Sequence, residues 1–192
     1  NYVLASLPAL FGEMTLGQIG DEDEGLLSLS VNGIIGVIRD YAAEYASAEY
    51  VVEELTTLFP ADMTLGNAPD KLEETGISNI LAVVKAYADM ADDRIVQQSV
   101  VDLFEGMTVG SIAERWLDIT IPDILAVVRD YTNEFAGGDY VKDSLVELFK
   151  DKDGSEMTLG NIDTEYRNIL VASVLDVVAD YVNEYVQDDL IR

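Results

Sequence analysis

Residues Thr120–Phe135 read TIPDILAVVRDYTNEF. Thr120 suits a helix N-cap, Pro122 suits the first turn, and Asp123 stands three residues on, a Thr-x-x-acid version of the capping box. Ile121, Ile124, Leu125, Val128, Tyr131 and Phe135 fall at i, i+3, i+4, i+7, i+10 and i+14. That is the apolar stripe of an amphipathic α-helix, with Asp123, Asp130, Asn133 and Glu134 on the other side. Gly137-Gly138 ends it. Asp139 is then placed to cap a second helix, with Val141, Leu145, Leu148 and Phe149 inward.

The same pattern surrounds this stretch in both directions. Met-Thr-Leu/Val-Gly occurs at Met14–Gly17, Met63–Gly66, Met107–Gly110 and Met157–Gly160, at spacings of 49, 44 and 50. A Leu-Phe pair precedes each: Leu10-Phe11, Leu58-Phe59, Leu103-Phe104 and Leu148-Phe149. An apolar helix ending in a tyrosine follows each, at Tyr41, Tyr87, Tyr131 and Tyr181. Three of these tyrosines stand in Asp-Tyr, and the second copy has Ala86-Tyr87. An aromatic returns four residues later at Tyr45, Phe135 and Tyr185, with Ala91 as the exception. A period of this length marks a repeat architecture. The expected fold is all-α, an array of four helical-hairpin repeats of 44–50 residues, stacked as an α-solenoid or a compact helical bundle. Each unit runs long helix, second helix, capped turn, loop. In the third copy the capped turn covers Val109–Ala113. The variable loops are Gly20–Gly25, Asn67–Gly76, Ala113–Thr120 and Asp163–Asn168, and Asp151–Glu156 is an insertion before Met157.

The chain is expected to be a single array over 1–192, with units near 1–48, 49–91, 92–137 and 138–186. Residues 187–192 begin a further unit. Tyr2–Phe11 matches Tyr140–Phe149, the second helix, and Gln187–Leu190 starts another one. Both ends are out of phase with the unit, so the expectation is an excerpt of a longer array, or ends that pair with another copy.

Composition narrows the function. There are 37 acidic and 11 basic residues, a net charge of -26, and each quarter of the chain nets -6 or -7. This is an acidic surface around an apolar core rather than an acidic tail. It repels phosphate backbones and anionic lipid, which argues against nucleic-acid binding and membrane docking. It favours solubility, divalent cations or basic protein partners, and a salt-rich habitat also selects it. The hydrophobic fraction is 49%, yet apolar runs such as Ile80–Val84 reach five residues where a membrane-spanning helix needs about 20. Cysteine and histidine are both absent. That removes the usual zinc and iron–sulfur ligands and all Cys- or His-based nucleophilic catalysis within the chain.

Each candidate site has a structural reading beside the functional one. The Thr and free amides of Met-Thr-Leu/Val-Gly suit an anion, but also a helix cap with Met and Leu plugging the core and Gly allowing close packing. The repeated tyrosines suit a sugar-stacking row, but also core positions with the hydroxyl at the surface. Asp151–Glu156 has the look of a calcium loop, yet places Glu156 and Ile162 where an EF-hand needs Gly and Glu. Asp21–Glu24 reads as a solvated charge run. Carboxylates recur with the repeat, so no pair is singled out as a glycosidase acid and base.

No catalytic residue, cofactor site or metal site is assigned. The expected function is a non-enzymatic structural or protein-interaction repeat module. It would be a segment of a larger surface or extracellular assembly, partnered by copies of itself or flanking repeats; a cytoplasmic location is also compatible. The alternative is a carrier holding an apolar ligand between helices, in space left by Gly33, Gly36, Ala82 and Ala126.

Overall fold

The computed structural model describes residues 3–21, 25–46, 49–150 and 154–185. The fold is all-α. In chain order the helices are α1 (Ser6–Phe11), α2 (Val31–Tyr41), α3 (Glu53–Thr56), α4 (Ala68–Lys71), α5 (Ile77–Met90), α6 (Gln98–Leu103), α7 (Ile112–Arg115), α8 (Ile121–Tyr131), α9 (Asp143–Glu147), α10 (Ile162–Glu165) and α11 (Val171–Tyr185). The described residues hold isolated β-bridges but no strand. The expected start of a further helix at Gln187–Leu190 lies outside the described residues, as do Tyr2 and parts of both acidic loops.

The long helices begin as their sequences require. The Thr120 hydroxyl accepts from the Asp123 amide, with Pro122 in the first turn of α8, and Ser30 does the same for α2 through the Gly33 amide. These bonds satisfy donors that a helix start otherwise leaves orphaned. The Asp123 carboxylate departs from the capping box: it accepts a hydrogen bond from the Thr120 hydroxyl at 2.7 Å. At the other end α2 and α8 widen into single π turns, Ala42–Ala46 and Thr132–Ala136. Gly137 closes the second of these with φ 66, a left-handed backbone suited to glycine. The second copy has no such glycine, and Asp92 takes φ 57 beyond the end of α5.

The π turn corrects one sequence expectation. Phe135 was expected on the inward stripe of α8, but it is 61% exposed, and Val128 is exposed too. A π turn carries more residues per revolution than an α turn, so Phe135 rotates off the buried face. It stacks instead on Tyr131, ring centres 5.9 Å apart. Tyr41 and Tyr45 pair likewise at 5.6 Å.

The variable loops are also more regular than expected. Asn67–Gly76, Ala113–Thr120 and Asp163–Asn168 carry α4, α7 and α10, each running on into a 3₁₀ turn at Leu72–Glu74, Trp116–Asp118 or Tyr166–Asn168. A matching 3₁₀ turn, Leu26–Ser28, precedes α2. The second helix after Gly137 also starts later than its sequence suggests. α9 is preceded by Lys142 with no side-chain cap, and Asp139 binds the Lys142 ammonium at 3.3 Å instead of capping.

The chain divides into two compact bodies, residues 1–96 with 104–112, and residues 97–103 with 113–192. In the first, α1 packs on α2, and α3 packs on both α2 and α5. Leu10 fills the space above Gly33: a Cβ there would sit 2.8 Å from Leu10 Cδ1. Leu29, Val52, Met63, Val83, Met107 and Thr75 are buried in this body. In the second, α6 packs on α8, and α9 packs on both α8 and α11. Its buried residues include Val101, Ile119, Val141 and Met157.

Candidate functional site

The Met-Thr-Leu/Val-Gly motif has the most regular geometry in the molecule. It lies antiparallel to the segment that leads into a long helix, joined by a bridge at Ser30–Thr64, Gly76–Thr108 and Thr120–Thr158. Three backbone hydrogen bonds recur at each. The first amide of the long helix donates to the Met carbonyl: Val31 to Met63 at 3.0 Å, Ile77 to Met107 at 2.8 Å, Ile121 to Met157 at 2.7 Å. The third motif residue donates two residues before that helix: Leu65 to Leu29 at 3.0 Å, Val109 to Thr75 at 2.9 Å, Leu159 to Ile119 at 2.9 Å. The Gly amide donates into the 3₁₀ turn: Gly66 to Leu27 at 2.7 Å, Gly110 to Glu73 at 2.9 Å, Gly160 to Leu117 at 2.8 Å.

Each residue type follows from this clasp. Glycine is required because the partner backbone is close. A Cβ at Gly66 would lie 3.2 Å from Leu27 O, one at Gly110 2.9 Å from Glu73 Cβ, and one at Gly160 3.2 Å from Leu117 O. Methionine is the plug, with Met63, Met107 and Met157 buried. Threonine organises the turn beyond the bridge: Thr64 and Thr158 donate their amides to Asn67 and Asn161 Oδ1 at 2.8 Å, and Thr108 donates to Ser111 Oγ at 2.9 Å. The Asn67 and Ser111 amides return the bond to the threonine hydroxyl. That is a capping box with Asn or Ser in the fourth position. The threonine was expected to cap the helix itself, but the following helices have Asn67 and Asn161 at the N-cap, so the threonine orders the turn ahead of them; the leucine is not a core plug, since Leu65 stays 45% exposed. At Met63, Met107 and Met157 the amides considered for anion binding already donate to backbone carbonyls or to the Asn or Ser side chain of the turn.

The tyrosines ending the long helices fasten the approach to a second helix. Tyr87 donates to the Tyr50 carbonyl at 2.9 Å, Tyr181 donates to the Tyr140 carbonyl at 2.5 Å, and Tyr41 accepts from the Leu4 amide at 3.2 Å. A ring against helix neighbours with its hydroxyl on a backbone group is a positioning contact. Asn32 does similar work at the far end of α3: its side-chain amide donates to Phe59 O at 2.7 Å and its oxygen accepts from the Phe59 amide at 3.4 Å.

The acidic surface is tied down locally. Lys71 bridges Asp62 at 2.7 Å and Glu74 at 2.9 Å. The hydrogen bond to Asp62, then that to Glu74, holds Lys71 above the ordinary lysine range, and the same bond lowers Asp62. Lys142 joins Glu184 of α11 to Asp139, and the bond to Glu184 raises its pKa against an opposing desolvation. Glu147 raises Lys150 similarly. Desolvation, then the charge of Glu44, raises Tyr45. Among the described residues, no group of three or more acidic side chains is placed to hold a metal ion. Asp151–Glu156 is described from Gly154 on, where the Glu156 backbone pairs antiparallel with that of Lys150 and the Met157 amide donates to Phe149 O at 2.9 Å.

Two hollows among the described residues have linings that do not include Gly33, Gly36, Ala82 or Ala126. One of about 290 Å³ is lined by Arg39, Ala43, Glu49, Val51, Val52, Glu53 and Met90. Another of about 210 Å³ is lined by Leu148, Met157, Ile169, Leu170 and four polar or charged neighbours. No helix of the described residues is long and apolar enough to cross a membrane. The chain matches no protein-family model, no curated protein and no solved structure.

The motif takes the same geometry at Met63, Met107 and Met157, and its partner segment was not legible in the sequence. The partner segments Leu27–Val31, Glu73–Ile77 and Leu117–Ile121 share little beyond an apolar residue at the helix start. They engage mainly through backbone atoms, which leave no side-chain signature.

Proposed function

We propose that this chain is a non-enzymatic module of four helical-hairpin repeats whose role is structural or protein-interacting, within a larger surface or extracellular assembly. The observation that carries the reading is the clasp. The residues repeated most faithfully are engaged in joining one segment of fold to another: Met as plug, Thr as turn-former, Gly as close-approach site, Tyr as backbone anchor. A repeat unit cannot bury its apolar face alone, so stacking on a neighbour is its basic chemistry. The acidic surface favours basic protein partners or divalent cations at its flanks. A chain without cysteine suits an extracellular role that does not depend on disulfides.

Native mass spectrometry of the purified protein tests this against the carrier alternative. The expected masses are those of the 21.0 kDa polypeptide and its whole multiples. A stoichiometric apolar adduct, recovered in an organic extract, would overturn the reading. Fractionation of the source cells tests the location, with the protein expected at the surface or in the medium and a cytoplasmic pool counting against it.

A further inference from the structure

Among the described residues the clasp is formed three times, and its two halves are each present once more without a partner. We propose that these halves join, so that the Met14–Gly17 segment of one copy of this chain docks on residues 167–175 of a second copy, head to tail. This rests on the interaction-module reading above and names its partner and its site.

The donor half is ready-made. Thr15 donates its amide to Gln18 Oε1 at 2.9 Å and its hydroxyl to the same atom at 2.8 Å, and the Gln18 amide closes the turn on Thr15 O at 3.0 Å. This is the turn seen at Thr64, Thr108 and Thr158, with Gln in place of Asn or Ser. Among the described residues, however, the Leu16 and Gly17 amides have no acceptor. Leu16 is 89% exposed, against 45% for Leu65 and 39% for Val109 in completed clasps. A Cβ at Gly17 would meet nothing nearer than its own Thr15 hydroxyl, 3.9 Å away.

The acceptor half is equally formed. The 3₁₀ turn Tyr166–Asn168 leads to Ile169 at φ -59, ψ 126. The matching residues in the three clasps have φ -65, ψ 131 at Leu29, φ -65, ψ 126 at Thr75 and φ -57, ψ 128 at Ile119. The backbone therefore already holds the shape that receives a Met-Thr-Leu-Gly segment. The helix beyond it is bare where its counterparts are covered. Val171 is 76% exposed and Leu175 60%, whereas Val31, Ile77, Ile121, Ile35, Leu81 and Leu125 are all half-buried. In both bodies the cover on a long helix includes the second helix that follows it, α3 on α2 and α9 on α8. In a neighbouring copy α1 occupies that place, since Met14–Gly17 follows α1 as Met63–Gly66 follows α3. The internal clasps thus identify the occupant as another unit of this same kind.

Such a contact is heterologous, using different surfaces on each copy, so it propagates into rings or open chains. Because every copy carries -26, association should strengthen with ionic strength.

Sedimentation velocity of the 192-residue chain against concentration, at physiological salt, is the test, with two variants. Gly17→Ala places a methyl where the clasp needs a glycine, at a site open in the single copy. Leu175→Glu puts a charge on the receiving face. The wild type should give species that grow with concentration, each variant alone should stay monomeric, and both should keep the wild-type melting temperature. An equimolar mixture of the two variants retains one intact donor end and one intact acceptor end, and should give a 1:1 dimer. A wild type that stays monomeric to millimolar concentration overturns the proposal, as does association that survives Gly17→Ala or a mixture that does not pair. None of these results puts a ligand in the mass spectrum, so failure here remains distinct from failure of the interaction-module reading.

Discussion

Thr75 stands where Leu29, Ile119 and Ile169 stand in the other copies, and its hydroxyl is buried without a hydrogen-bond partner. Only its carbonyl serves the clasp, accepting from Val109. Removing a buried unpaired hydroxyl without changing shape relieves its desolvation penalty. Thr75→Val should stabilise the protein by about 1 kcal/mol, read as a higher urea midpoint; a lower midpoint would show that the hydroxyl has a partner. The opposite sign is expected at Gly110, where an added methyl meets Glu73 Cβ at 2.9 Å. Gly110→Ala should cost about 1–3 kcal/mol. Met63→Ala, at a fully buried plug, should cost about 2–5 kcal/mol by the same measurement. The need for Met and Gly was legible in the sequence, because both recur at fixed offsets. The reason for the Gly was not: its partner carbonyl lies 39 residues upstream for Gly66 and 37 for Gly110, and backbone acceptors carry no residue identity.

At the scale of the element, helix type was readable and helix extent was not. The apolar period and the Thr120 cap located α8 correctly. The π turns escaped, because a stripe extrapolated at α-helical pitch keeps Phe135 inward, while the wider turn rotates it out. The 3₁₀ turns escaped because polar stretches such as Asp163–Asn168 read as loops, and a single 3₁₀ turn is too short to show an apolar period. Contacts between elements make a pH prediction. Lys71, Lys142 and Lys150 have raised pKa values in the folded protein, as does Tyr45. A raised folded pKa contributes stability that is complete below the unfolded value and lost as pH rises through the folded one. The unfolded references are 10.5 for lysine and 10.0 for tyrosine, so all four groups act in the same direction. Melting temperature should fall as pH climbs past 10. The decline should be shallower in Lys142→Gln, which no longer fastens Glu184 of α11 to Asp139. Parallel alkaline limbs in wild type and variant would remove Lys142 from the account.

For the whole molecule, like-charge repulsion acts against the compact state. With 37 acids against 11 bases, 26 negative charges have no basic counterpart, and exposed ion pairs contribute little individually. Screening weakens the remaining repulsion, so melting temperature should rise from low to physiological salt. A flat response would mean that the charges are too well separated to matter. Each bridge ties the first residue of a long helix to a methionine 32, 30 or 36 residues later, at Val31–Met63, Ile77–Met107 and Ile121–Met157. The entropy of closing a flexible loop grows only with the logarithm of its length. Going from the shortest of these loops to the longest therefore changes the closure cost by about 0.2 kcal/mol. The extra residues at Asp151–Glu156 are thus nearly free in thermodynamic terms. Segments joined by a backbone clasp can differ in length while the joints stay the same, and residues spliced in just ahead of the methionine should be accepted without loss of fold.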